Sequence, residues 1–156
     1  MPPSTAMSPL QFQVGVPHDI VISAVLRKLA EHEPFRTYSL AVMVNAVMQQ
    51  LHCSANVMGL RDGKLVAYAG WLRVKKNEAE NWQRGIRELP LPDWQQGDAA
   101  IVTVFIADYA ADVRLLARAI SNACANVPVY RMRVFEQGTV EHKRRPITGR
   151  TQVGLQ

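Results

Sequence analysis

Four histidines and two cysteines are the side chains that can do proton or nucleophile chemistry near neutral pH. His32 is one of them. It falls just past the end of a helix and before Pro34. Two readings are open for it: proton transfer, or an exposed helix-terminal histidine that stabilises the C-terminal dipole. Asp108 stands where an apolar run ends and a helix begins, a place where a ligand can sit. Cys53 and Cys124 lie far apart in apolar settings, which reads as two buried thiols in a reducing compartment. No CxxC and no Cys/His ligand spacing occurs, so no metal site is expected.

These residues need a scaffold, and 156 residues suffice for one domain. The chain is 48% hydrophobic and 20% charged, which permits a substantial core and argues against global disorder. A net charge of +5 favours an anionic partner. Aromatic residues are not interleaved with the basic ones, so no stacking platform for nucleic acid is visible. The N-terminus lacks a basic region followed by an apolar run, and no segment approaches about 18 uninterrupted apolar residues. A cytoplasmic protein without a membrane span is expected.

The axis of the chain is the stretch 93–124. A polar turn, Asp93-Trp94-Gln95-Gln96-Gly97-Asp98, leads into the apolar strand Ile101–Ala107. A helix follows from Ala110 to Cys124, with Val113, Leu116, Ala117 and Ile120 inward and Arg114 and Arg118 outward. Before this unit, residues 1–16 read as a flexible arm. Asp19 caps a helix running from Ile20 to about Glu31, which ends before Pro34. A second helix, from Ser39 to about His52, is apolar nearly all round and therefore largely buried. Its Met43 and Met48 read as core filler. Asp62-Gly63 joins two apolar runs, 55–60 and 65–74, in the pattern of a type I′ hairpin, and the second run is central in the sheet. A short helix is expected over 78–87. After Pro128, residues 129–135 alternate as a strand, and 139–145 return as a basic edge strand. Residues 17–146 form the domain and 147–156 a tail. The order implies an α/β (α+β) fold with a mixed, mostly antiparallel sheet flanked by helices.

Several segments resemble one family. Val66-Ala67-Tyr68-Ala69-Gly70-Trp71 is similar to the V-A-Y-C-S-W strand of the RTX-toxin-activating lysine acyltransferases, and Asp93–Asp98 to their D-W-x-S-G-D turn. Phe105-Ile106-Ala107 falls where they carry W-I-A. Arg133-Val134 with Gly138 resembles their late strand and turn. His32-Glu33-Pro34-Phe35, followed by Ser39-Leu40, resembles their H-R-x-W segment. The likeness covers about residues 19–149. It implies a GNAT-like fold, a cytoplasmic homodimer, and transfer of a fatty acyl chain from acyl carrier protein to internal lysines of an RTX-type protoxin. It further implies His32 as base and an acyl thioester held around Phe105, Ile106, Ala107 and Trp71. The family's aspartate in F-I-D-W-I-A corresponds to Val104, and Asp108, four residues on, is the candidate replacement.

Acyl transfer to lysine needs a neutral amine, a base and a donor to the developing oxyanion. The segment 107–112 lacks the glycine-rich loop of CoA-binding acetyltransferases, and its two aspartates would repel a pyrophosphate. This favours no bound cofactor and a carrier-protein thioester as donor. Lys75, Lys76, Arg114 and Arg118, with Lys143–Arg145, are candidates to meet an acidic carrier. The alternative is a catalytically degenerate GNAT-like protein-binding module, prompted by Val104.

Overall fold

The computed structural model describes residues 6–131, 133–134, 140–141 and 147–148. Helix α1 spans Asp19–Ala30 and buries Val25 and Leu29. Its cap is His18 rather than Asp19: the His18 Nδ1 accepts from the Ile20 amide at 3.3 Å, and Asp19 is the first helical residue. A 3-10 turn at Phe35–Thr37 leads to α2, Leu40–His52, capped by the Ser39 hydroxyl accepting from Val42 N–H. α2 is less buried than its composition suggests. Met43, Val47, Gln50 and Leu51 face inward, but Leu40 and Val42 are exposed.

The expected hairpin is β2 (Asn56–Arg61) and β3 (Lys64–Val74). Asp62 and Gly63 both have positive φ, 52° and 74°, as a type I′ turn requires. Then follow α3 (Lys76–Gln83), β4 (Ala99–Ala107), α4 (Ala110–Ala123) and β5 (Pro128–Tyr130). Residues 11–13, expected within the N-terminal arm, form β1 and pair with Met58–Leu60. The run 129–135 is not one strand. Arg133–Val134 (β6) pairs with Val140–Glu141 (β7) in a separate ribbon. Ile147–Thr148 (β8), expected in the tail, pairs with Pro128–Val129. Lys143–Arg145 lie outside the described residues.

The main sheet runs β1-β2-β3-β4-β5-β8. Only β4 and β5 are parallel, and they pair just at Ala100↔Val129 and Ile101↔Tyr130. The fold is therefore the expected mixed, mostly antiparallel sheet flanked by helices. One face packs Met58, Tyr68, Val104 and Ile106 against α1 and α2. The other packs Val57, Ala69, Trp71 and Val102 against Leu116 and Ile120 of α4. Val113, expected inward, is exposed. The helix turns Asp112 inward instead, where Arg61 receives it.

The β3–β4 ladder is interrupted once. Gly70 pairs with Val104 and Trp71 with Val102, which leaves Thr103 as an extra residue on β4. Such a bulge twists the strand and re-aims its side chains. A side chain on Gly70 would overlap the Gln50 carboxamide, so glycine is needed for this close approach.

Candidate active site

Two constellations lie along β4. The first is at its end. α1 stops at Ala30 and the His32 N–H still bonds the Leu29 carbonyl, and the ring lies beside Asp108, just past the end of β4. The Asp108 N–H donates to the Val66 carbonyl, which holds that residue against β3 just past β4. The outcome is a contact between residues 76 apart in sequence: His32 Nε2 lies 3.0 Å from Asp108 Oδ1. Lys28, one turn before His32, donates to Asp108 Oδ2 at 2.8 Å and to Glu31 Oε2 at 3.0 Å. The His32 and Asp108 side chains are 25% and 24% exposed, enough for an incoming group to reach them. Burial alone would lower the Lys28 pKa, but its hydrogen bonds to Asp108 and Glu31, and their charges, raise it overall. Lys28 is thus a fixed cation.

With Nε2–H donating to the carboxylate, Nδ1 of His32 keeps its lone pair and can accept a proton. Glu31, His32 and Asp108 also offer ligand atoms within 4.8 Å of one another. The Lys28 ammonium already bridges both carboxylates, so the place of a cation is filled.

The second constellation is the bulge. A cavity of about 340 Å³ opens there between α2, the segment 89–94 and the sheet. Trp71, Thr103 and Val104 belong to its sheet side, and Phe35, Val42 and Leu91 to its apolar walls. Its size is within the range of small-molecule sites. Gln50 also lines it, and is buried. Tyr68 O–H donates to Gln50 Oε1 at 2.7 Å, and Gln50 Nε2 donates to Thr103 Oγ1 at 3.1 Å. Burial pushes the Tyr68 phenol pKa well up, so it stays a donor.

The structure sorts the expected site residues. His32 and Asp108 come together, and Trp71 lines the cavity. Phe105, Ile106 and Ala107 do not form the bulge, which lies earlier, at Thr103. They are paired with Ala69, Tyr68 and Ala67; Ile106 is buried against the α1/α2 core, and the Arg131 guanidinium sits 4.7 Å from the Phe105 ring centroid. The slip occurs opposite Gly70, where a side chain would overlap Gln50. Val104 is 2% exposed and packs in the apolar core. At about 3.3 Å per residue, Asp108 lies about 13 Å along the strand from it.

Lys75, Lys76, Arg114 and Arg118 are exposed, on two separate elements. The Lys76 N–H donates to Asp98 Oδ1, tying α3 to the polar turn 93–98. That turn is structural: the Asp93 N–H donates to the Arg73 carbonyl, and the Arg73 guanidinium donates to the Gly97 carbonyl. The two aspartates at the start of α4 are each matched by a cation. Asp108 meets Lys28, and Asp112 is held by both arms of Arg61 at 2.8 and 2.9 Å. The bond from Arg61 lowers the Asp112 pKa, against the opposing effect of burial. Repulsion of a phosphate there is weaker than the sequence suggests, although the helix start presents no side-chain cap. Of the cysteines, Cys124 is buried and Cys53, expected to be, is exposed.

Sequence reasoning missed Gln50, Tyr68, Thr103 and Lys28. Two signals were present. Gln50 follows Met43 and Val47 at helical spacing, a polar residue on the buried face of α2. Lys28 precedes His32 by four, which puts both on one side of the helix end.

No family model matches the sequence, and no curated protein matches it. Solved structures do. The loading GNATL domain of CurA from Lyngbya majuscula superposes with a TM-score of 0.57 at 8% identity, over 81% of this chain and 66% of that one. A GCN5-related N-acetyltransferase from Kribbella flavida gives 0.49 at 13% identity, over 75% of this chain but only 27% of that one. A GNAT-family acetyltransferase from Streptococcus agalactiae gives 0.46 at 13% identity, over 74% and 68%. This chain thus spans about a quarter of the Kribbella chain. The likeness to the CurA domain is one of fold: the sheet and helices described above are GNAT-like. Among the described residues no helix is long and apolar enough to cross a membrane.

Proposed function

We propose that this protein is an acyltransferase that moves a fatty acyl chain from acyl carrier protein to an internal lysine of a partner protein. One observation carries the reading: His32 and Asp108, 76 residues apart, meet at 3.0 Å at the end of the central strand. The carrier donor, the lysine acceptor, an RTX-type protoxin as partner, a cytoplasmic location and a homodimer rest on the sequence resemblance. An acceptor lysine starts near pKa about 10.4 and must lose a proton to attack. His32 Nδ1 takes that proton as the amine passes the end of β4, and Asp108 stabilises the imidazolium. The neutral nitrogen then attacks the thioester carbonyl, the carbon–sulfur bond breaks, the departing thiolate takes the second proton from the new amide nitrogen, and His32 returns the first to solvent. The acyl chain lies in the apolar cavity beside α2. The exposed bases of α3 and α4 suit an acidic carrier.

The test is incubation with acyl carrier protein loaded with a long acyl chain and a candidate acceptor, with acyl-lysine read by mass spectrometry. Transfer by the parent protein and its loss in His32→Ala is the expected result. Absence of acyl-lysine with both proteins refutes the reading. A second reading, a non-catalytic GNAT-like binding module, is favoured by Val104, an apolar core residue in the place of the family's carboxylate. Partner binding that survives His32→Ala without any transfer supports it.

A further inference from the structure

The buried hydrogen bonds at the bulge have a direction, and that direction ends in the cavity. Tyr68 is 0% exposed, so its O–H proton needs a protein acceptor. The acceptor is Gln50 Oε1, at 2.7 Å. This fixes which end of the carboxamide is which: the oxygen faces Tyr68 and the Nε2 faces Thr103. Thr103 Oγ1 therefore accepts from Gln50, and its own proton is directed elsewhere. Thr103 is the extra residue of the bulge and lines the cavity. Chains of this kind polarise one another, which strengthens the last donor.

We propose that the Thr103 hydroxyl is a donor to the carbonyl oxygen of an acyl group bound in this cavity, with Gln50 and Tyr68 as positioning residues. The inference rests on the acyl-transfer reading and gives it the oxyanion donor that Phe105–Ala107 do not supply. Thr103 touches the reacting carbonyl; Gln50 orients Thr103, and Tyr68 orients Gln50. No bond is made to the protein. As the nucleophile adds, the carbonyl oxygen gains negative charge and its hydrogen bond from Thr103 shortens. The bond weakens again when the thiolate departs.

The experiment separates this inference from the transfer reaction by using an unreactive probe. A long-chain 2-alkanone carrying carbon-13 at its carbonyl is bound to the full-length protein and its C=O stretch is measured by difference infrared spectroscopy. In the parent protein the stretch moves to lower wavenumber than in alkane solvent. Thr103→Ser keeps that shift and Thr103→Val abolishes it. Tyr68→Phe also abolishes it without touching the probe, because a freed Gln50 turns its oxygen to the Thr103 proton. Should Thr103→Val fail to fold, Thr103→Ser and Tyr68→Phe still decide the matter. In transfer assays Thr103→Val lowers kcat by about 10²-fold, as loss of one oxyanion donor does. An unshifted stretch in the parent, a stretch unaltered by both Thr103→Val and Tyr68→Phe, or failure of the ketone to bind overturns the inference. A parent protein that shows the shift but transfers no acyl group keeps the carbonyl site and refutes only the reaction.

Discussion

Replacing Gly70 by alanine tests the packing that the bulge depends on. A methyl built at that position overlaps the Gln50 carboxamide, whereas the backbone itself is not at a positive φ. The cost is therefore steric and polar rather than conformational. Displacing Gln50 strands the fully buried Tyr68 O–H, a loss of about 2 kcal/mol. Overpacking of the site adds about 2 kcal/mol. Together these predict a destabilisation of about 4 kcal/mol, or a fall in Tm of about 8–16 °C for a chain of this size. Urea unfolding followed by circular dichroism and tryptophan fluorescence measures it. The control is a double-mutant cycle. Gln50→Ala by itself also strands Tyr68, but it vacates the volume the new methyl needs. Adding Gly70→Ala to Gln50→Ala then costs little, and the two changes fall short of additivity by about 2 kcal/mol or more. Additive costs, or a Gly70→Ala penalty below about 1 kcal/mol, refute the claim that Gln50 is wedged against Gly70.

Two further outcomes follow from the titrating groups. Asp112 has a pKa lowered in the fold by Arg61, so its contribution is present above the ordinary carboxylate value of 3.8 and is lost as pH falls through the lower folded value. Asp112→Asn is less stable than the parent near neutrality, and the gap between their urea midpoints narrows below about pH 4; a constant gap contradicts this. The cysteines differ in reactivity. Cys53 is exposed, whereas Cys124 is buried with its thiol pushed up to about 11. A thiol reagent at pH 8 labels Cys53 in the native protein and Cys124 only in denaturant, and equal labelling of both overturns the assignment.

What the sequence reveals here is what local chemistry decides. Asp62-Gly63 fixes a turn because both positions need positive φ, and the ladder that follows places β3 in the sheet's middle. The boundaries of α1 and α2 follow from Ser39, Pro34 and the apolar spacing, within a residue or two, whereas α3, expected over 78–87, spans Lys76–Gln83. Tertiary pairing is another matter. Gln11–Gln13 has no strand pattern of its own and becomes a strand because the edge of β2 is available to it. Val113 and Asp112 exchange places because Arg61, from a distant hairpin, supplies a partner for a carboxylate. The resemblance places the acyl thioester around 105–107, whereas the bulge lies at Thr103, across the ladder from Gly70, against which Gln50 packs. No window of residues on β4 alone holds that information.

The same reasoning bears on Val104 and Asp108. On the motif match alone, Val104 marks the loss of a carboxylate from the middle of the central strand. In the fold, a carboxylate at position 104 would be buried in the apolar cluster that includes Leu29, Met43 and Val47. Its burial would need a charged or hydrogen-bonded partner. Val104 removes that demand, and the adjoining bulge carries a neutral hydrogen-bonded chain in its place. Asp108, beyond the last strand residue, meets both a cation and an imidazole where water can reach them. On the proposed reading, proton transfer and carbonyl binding are divided between the end of β4 and its bulge. An acceptor amine deprotonated at His32 must then travel inward to the thioester, so the two sites must act in sequence. If that order holds, His32→Ala abolishes transfer at neutral pH but regains part of it above pH 9, where more of the acceptor amine is already neutral, and Thr103→Val regains none. Equal recovery of the two variants at high pH contradicts the division of labour.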